Sequence, residues 1–147
     1  MHDNNLFLQN FKEIYPPELV LKLESSGDQV SFLDLDLTNV DGHLDVKLFD
    51  KRDDFPFSIV RLPFASSNIP STMFYSSIGA EIIRIGRVSS SSENFLVAGK
   101  ALIQRAFRQG AKLYKVEKVL KKVLYGSQQV LRFLSSNATS FADSLLG

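Results

Sequence analysis

A period-two alternation between Phe32 and Leu48 constrains this chain more than any other feature. Leu33, Leu35 and Leu37 fall on one side of an extended segment, and Asp34 and Asp36 fall on the other. Side chains alternate sides along a strand, so the pattern has one dry face and one wet face. Asp41-Gly42 follows, and glycine tolerates the positive φ that a two-residue type I′ hairpin requires. Leu44, Val46 and Leu48 then form a second inward row. Upstream, Leu19, Leu21 and Leu23 alternate with Val20 and Lys22, ahead of the turn cluster Ser25-Ser26-Gly27-Asp28. Residues 19–49 thus predict a three-stranded antiparallel meander with one solvated face.

Helical periodicity brackets this segment. Before it, Asn4 or Asn5 can cap a short helix carrying Leu8, Phe11 and Tyr15, which Pro16-Pro17 stops. After it, residues 50–70 form a connection dense in Phe and Ile, expected to pack across the sheet, with Ile59, Val60 and Leu62 adding a short strand. Three helices follow. The first begins near Ser71 with the stripe Phe74, Ile78, Ile82 and Ile85. The second has a capping box in Ser90 and Glu93, turns Phe95, Leu102, Ala106 and Phe107 inward, and ends at Gly110. The third covers about 112–125, with Leu113, Val116, Leu120 and Val123 or Leu124 inward, and Gly126 closes it. Two helices joined through Gly110 have a helix-turn-helix outline.

The expected class is therefore α+β: a small antiparallel three-stranded meander followed by a three-helix, helix-turn-helix-like C-terminal part. Residues 1–70 hold the N-terminal helix, sheet and connection. Residues 71–126 are the basic helical region. Residues 127–147 are a Ser-rich tail in which Val130, Leu131, Phe133 and Leu134 offer one marginal helix.

The net charge of +1 conceals a division. Residues 1–60 hold twelve acids and five bases, 5 − 12 = −7, whereas residues 84–132 hold eleven bases and two acids, 11 − 2 = +9. Such asymmetry points to a polyanionic partner for the basic part, or to two halves that neutralise each other. On the third helix Lys115, Lys118 and Lys122 fall at i, i+3 and i+7, flanked by Lys112 and Lys121. Lys100, Arg105 and Arg108 lie on the second helix, and Arg84 and Arg87 leave the first. Lysine suits contact with a phosphate backbone irrespective of sequence, and Tyr114 offers a ring for base stacking.

Other chemistry is thinly represented. No cysteine is present, which removes disulfides, thiolate metal sites and thiol nucleophiles. Asp34 and Asp36 are the nearest approach to a metal pair, but alternating carboxylates on a half-exposed strand are ordinary surface polarity. Asp53 and Asp54 follow Lys51 and Arg52, so local ion pairing is their default. His2 lies near a terminus and His43 borders a turn. No nucleotide-binding glycine loop, nucleophile elbow or zinc-helix motif occurs. Neither cofactor nor metal is expected. Asn137-Ala138-Thr139 is a sequon without a visible secretory signal, and no apolar run is long enough for a membrane span. Intracellular placement, in nucleus or cytoplasm, is expected.

Three runs together resemble a segment of reverse transcriptases from animal retroelements of the Penelope-like type. They are Ser31-Phe32-Leu33-Asp34-Leu35-Asp36-Leu37, Asp41-Gly42-His43-Leu44, and Lys47-Leu48-Phe49-Asp50-Lys51-Arg52-Asp53-Asp54-Phe55. Tyr15-Pro16-Pro17-Glu18-Leu19, the stretch from Phe64 to Pro70, and Phe95, Leu102, Gly110 and Leu120 in the helices are similar to that family too. The resemblance spans about residues 6–125 and implies the end of a polymerase palm followed by thumb-side helices that contact a template–primer duplex. The family's paired catalytic aspartates would lie upstream of Met1, and its appended GIY-YIG nuclease has no counterpart here, so no catalytic residue carries over. The expectation is a chain that is not a polymerase by itself. It would bind duplex nucleic acid or an RNA–DNA hybrid without sequence preference. Arg84, Arg87, Lys100, Arg105, Arg108, Lys112, Tyr114, Lys115, Lys118 and Lys122 are the contacts, and a separate chain is a possible source of the catalytic palm. The alternative is an interaction module that self-associates, the acidic sheet of one copy meeting the basic helices of another.

Overall fold

The computed structural model describes residues 4–16, 18–20, 27–57, 59–60, 62–133 and 138–146. Helix α1 (Asn4–Ile14) precedes strands β1 (Gln29–Phe32), β2 (Leu35–Val40) and β3 (His43–Leu48). A 3-10 turn at Lys51–Asp54 opens the connection to α2 (Ser71–Val88), α3 (Ser92–Arg108) and α4 (Leu113–Gly126), and the short α5 (Gln128–Leu131) and α6 (Ala138–Leu146) follow. The class is α+β, with the meander β1-β2-β3 ahead of a helical part.

The sheet differs from expectation in its first strand. β1 pairs with β2 through Gln29↔Thr38 to Phe32↔Leu35, so Leu33-Asp34 is a two-residue turn and not the middle of a strand. Leu33 sits at φ +56° and is 79% exposed, an unusual conformation for a branched side chain. Leu19 and Val20 lie outside any strand, and residues 21–26 of the anticipated first strand lie outside the described residues. The second hairpin is as expected. Val40 pairs with His43 across Asp41 (φ +50°) and Gly42 (φ +82°), a two-residue turn with both central φ positive, and Asn39 Oδ1 accepts from the Gly42 amide at 3.1 Å. Cross-strand pairing puts Val30, Phe32, Leu35, Leu37, Leu44, Val46 and Leu48 on one face. Leu44 is exposed there, against the inward place expected of it.

The core belongs to the helices. Phe74, Ile78, Ile82 and Ile85 of α2 are all buried, as are Phe95, Ile103 and Ala106 of α3 and Val116, Leu120 and Leu124 of α4. Burying one such aliphatic or aromatic side chain contributes about 1.5–3 kcal/mol. α2 is the central helix: it packs against α3, α4 and α5, while α6 lies against α3 and α4. Gly110, at φ +88°, ends α3 as expected. Leu113 is exposed rather than inward, because it stands at the first position of α4.

Residues after Gly126 pack into this core instead of trailing from it. Val130, Phe133, Ala142 and Leu145 are buried, and the Phe133 ring stacks on Phe95 with centroids 5.2 Å apart. Close approach needs Gly86 on α2, where an added Cβ would lie 2.9 Å from Val130 Cγ2. Among the described residues two helices, not one, lie in this segment; Leu134 and Asn137 lie outside them.

Ser90 joins the two layers. Its amide donates to Val46 O at 2.9 Å, and its Oγ accepts from the Val46 amide at 2.9 Å, so β3's outer edge is paired with the α2–α3 loop. Its hydroxyl also donates to Asp45. Ser90 is therefore not the helix cap; Ser91 is, with Oγ accepting from the Asn94 amide at 3.2 Å. The 50–70 connection is fastened to α3, through the Ala65 amide on Gln109 O at 2.9 Å, and Leu62 is its buried anchor. Ile59, Val60 and Leu62 form no strand. Among the described residues no helix is long and apolar enough to cross a membrane.

Candidate nucleic-acid interface

The lysine row of α4 borders a groove. α4 and α2 enclose a depression of about 850 Å³. Tyr114, Lys115, Lys118 and Lys122 form one rim, Ser71, Thr72 and Ser76 form the other, and Gly79, Val119 and Val123 lie in it. The spacing that puts Val116, Leu120 and Val123 into the core turns the lysines toward this side. No Asp or Glu lines the groove among the described residues.

Tyr75 holds the two rims together. Its hydroxyl accepts from the Lys112 amide at 3.0 Å, which satisfies a donor at the start of α4. Lys115 Nζ stands 5.1 Å from the centre of its ring, a cation–π contact. Lys115 is therefore half-buried and oriented, whereas Lys118, Lys122 and Tyr114 are exposed.

The other expected contacts do not converge there. Arg84 Nη1 bonds Asp34 Oδ2 at 3.0 Å, and its Nε bonds Glu81 Oε2 at 2.9 Å. Arg105 and Arg52 both bond the carboxylate of Asp50. Arg105 and Arg108 line a second cavity, together with Glu81 of α2 and residues of the 50–70 connection. Arg87 and Lys100 are exposed and border neither cavity, and Lys112 is the capping residue of α4. Arg132, counted within the basic half, donates to Gly86 O and Ser89 O, each at 2.7 Å, and so caps the C-terminus of α2.

The acids are committed in the same way. Asp45 accepts from Ser90 and from Asn94 Nδ2 at 3.0 and 3.1 Å, and these bonds lower its pKa. Burial penalises the charge of Asp50, but the hydrogen bonds of Arg52 and Arg105 outweigh that cost and hold its carboxyl far below the usual range. Asp36 meets Ser31 and, at 3.6 Å, Lys47. Asp34 and Asp36 thus face cations and not a shared ion site, and no group of three metal-ligating residues occurs among the described residues.

Sequence reasoning missed Ser71, Thr72 and Ser76, whose hydroxyls carry no charge pattern, and Asp50, which reads as one acid in a mixed run. Comparison with protein-family models, curated proteins and solved structures finds no match for the chain.

Proposed function

We propose that the α2–α4 groove holds duplex or hybrid nucleic acid by its phosphate backbone, without sequence preference, as the thumb-side part of a reverse-transcriptase-like chain that does not polymerise by itself. The observation that carries this reading is the row Lys115, Lys118 and Lys122, with Tyr114, along a groove that no carboxylate lines among the described residues. Seven helical residues rise about 10.5 Å, and phosphates follow one another every ~3.4 Å of duplex axis, so the row matches about three phosphates of one strand. The groove's serine and threonine hydroxyls add neutral donors of the kind that position a backbone.

The charge division supports the reading only in part. Arg84 and Arg105 neutralise acids of the sheet and its connection, so among the described residues of the basic half the cations without an ion pair include Lys118 and Lys122 of α4 with Arg87, Lys100 and Arg108. The same pairing bears on self-association, because it withdraws two acid–base pairs, Arg84–Asp34 and Arg105–Asp50, from the contacts such assembly would use between copies.

Fluorescence anisotropy with labelled duplex DNA, an RNA–DNA hybrid and single strands, across a salt series, tests the proposal. The expected result is similar affinity for unrelated sequences and a salt slope of about −3 to −4, equivalent to three or four phosphates neutralised. Binding that ignores salt, or none at low salt, refutes it.

A further inference from the structure

Helix α1 stands apart from the packing of the other elements. Among the described residues no strand or other helix lies along it. Phe11 and Ile14, with Tyr15 just beyond the helix, fall at i, i+3 and i+4 and share one face. All three are exposed, Ile14 at 75%, and the Phe11 and Tyr15 rings lie 5.1 Å apart. Gln9 and Glu13, at i and i+4, share the opposite face. A helix of 11 residues is marginal in water, and most helices are stabilised by burying such an apolar face.

The α2–α4 groove has the complementary surface. Its lysine and hydroxyl rims suit a phosphate backbone, but its floor does not. Ala80, Ile83, Val119 and Val123 form an apolar strip there. Gly79 lets α2 come so near α4 that an added Cβ would lie 3.2 Å from Val119 Cγ1. An apolar groove of this kind is the surface that takes an amphipathic helix. Length agrees, since 11 helical residues span about 16.5 Å and the row from Lys115 to Lys122 rises about 10.5 Å. Charge agrees as well. Residues 1–18 hold three acids and one base, 1 − 3 = −2, and face a row of three lysines in a groove that no carboxylate lines among the described residues.

Among the described residues none of α1 lines the groove of its own chain. We propose that two copies of this chain exchange α1, each helix lying with its apolar face on the floor of the other copy's α2–α4 groove. Half the lateral surface of such a helix, with the groove face it covers, is about 650 Å². Two reciprocal contacts bury about 1,300 Å², inside the roughly 1,200–2,000 Å² of specific interfaces. Both copies use the same two surfaces, so the exchange closes at a dimer. The dimer stands without the nucleic-acid reading, but its consequence rests on that reading: a groove filled by α1 excludes a strand, so the dimer is the form that does not hold nucleic acid.

Sedimentation equilibrium of the full chain tests the exchange, and a dimer should form by about 100 μM. Ile14→Asp charges the apolar face of α1, and Ala80→Lys charges the groove floor; both positions are exposed, so the fold should stand. Each should weaken the dimer about a hundredfold, tenfold for each of its two contacts. Cross-linking locates the contact without disturbing it, because the chain has no cysteine of its own. A short bismaleimide should join the Ile14→Cys chain to the Ala80→Cys chain in a mixture, and should not join Ile14→Cys to Val97→Cys, which is exposed on α3. A monomer at about 100 μM, a dimer that ignores both charged substitutions, or no cross-link between positions 14 and 80 of different copies overturns the proposal. So does a cross-link formed within a single Ile14→Cys/Ala80→Cys chain, which would put α1 in its own groove. The cross-linked dimer should not bind duplex DNA, and binding by it overturns the competition. K118Q/K122Q should weaken duplex binding and change the dimer less than about fivefold. A dimer with these sensitivities from a chain that binds no duplex keeps the exchange and removes the nucleic-acid role, so the two readings fail separately.

Discussion

Asp50 and Arg105 stand 55 residues apart in the chain and form an ion pair that fastens the end of the sheet to α3. Arg52 closes the same carboxylate from the other side, with Nε at 2.6 Å. Asp50→Asn keeps the shape but removes the charge that two guanidiniums share. Stability should fall by about 1.5–3 kcal/mol, the range for hydrogen bonds to a charged group. Urea unfolding measures it, and an unchanged midpoint would show that the clamp contributes nothing.

Acid should act through the same residue. The carboxyl of Asp50 lies well below its ordinary value of 3.8 when folded, so over that interval the folded state binds fewer protons than the unfolded chain. Its contribution is complete above pH 3.8 and is lost as pH falls from there toward the folded value. Asp45 shifts in the same direction through Ser90 and Asn94. The melting temperature should therefore drop with acidification below pH 3.8, and Asp50→Asn should flatten that drop.

Leu33 is held at φ +56° in a two-residue turn with its side chain in solvent. Left-handed backbone costs a non-glycine residue roughly 1 kcal/mol, partly offset by the extra entropy glycine brings to the unfolded chain. Leu33→Gly should leave stability unchanged or raise it by up to about 1 kcal/mol. A loss larger than that would mean the Leu33 side chain does something its exposure does not reveal.

The same turn shows where sequence stops being legible. Leu35, Leu37, Val46 and Leu48 keep their anticipated face, because alternation alone sets it. Leu33-Asp34 carries no glycine or asparagine to announce a hairpin, so alternation alone predicts a continuous strand there. The α2 stripe was legible to the residue, since Phe74, Ile78, Ile82 and Ile85 are an unbroken helical period. The fate of the charges was not. Helical register places Arg84 beside Glu81 and Arg105 on a surface, but only the long-range folding of Asp34 and Asp50 onto α2 and α3 decides that the two arginines meet acids of the sheet and its connection. Lys118 and Lys122 make no ion pair with the described residues, because the groove they border is lined there by no carboxylate.

That distinction can be measured. K118Q/K122Q should reduce the salt slope of duplex binding by about 2, one phosphate for each lysine. Arg84→Gln should leave the slope unchanged and lower stability, by up to about 1 kcal/mol for a partly exposed pair. Equal slopes in the two variants would place the phosphate contacts away from α4.

The serine-rich segment after Gly126 gives the last test. Phe133 is 9% exposed, stacks on Phe95, and has the Arg132 guanidinium 4.5 Å from its ring centre. Arg132 in turn holds the last carbonyls of α2, so these two adjacent side chains tie the segment to α3 and α2. Phe133→Ala removes the ring and opens a cavity beside Phe95, at a cost of about 3–5 kcal/mol if the site does not collapse. Because α2 carries one rim of the groove, the loss should spread to α4 and not stay local. Hydrogen exchange should therefore show α2, α3 and α4 losing protection together in Phe133→Ala. Loss confined to residues after Gly126 would mean that the segment is an attachment to a core complete without it.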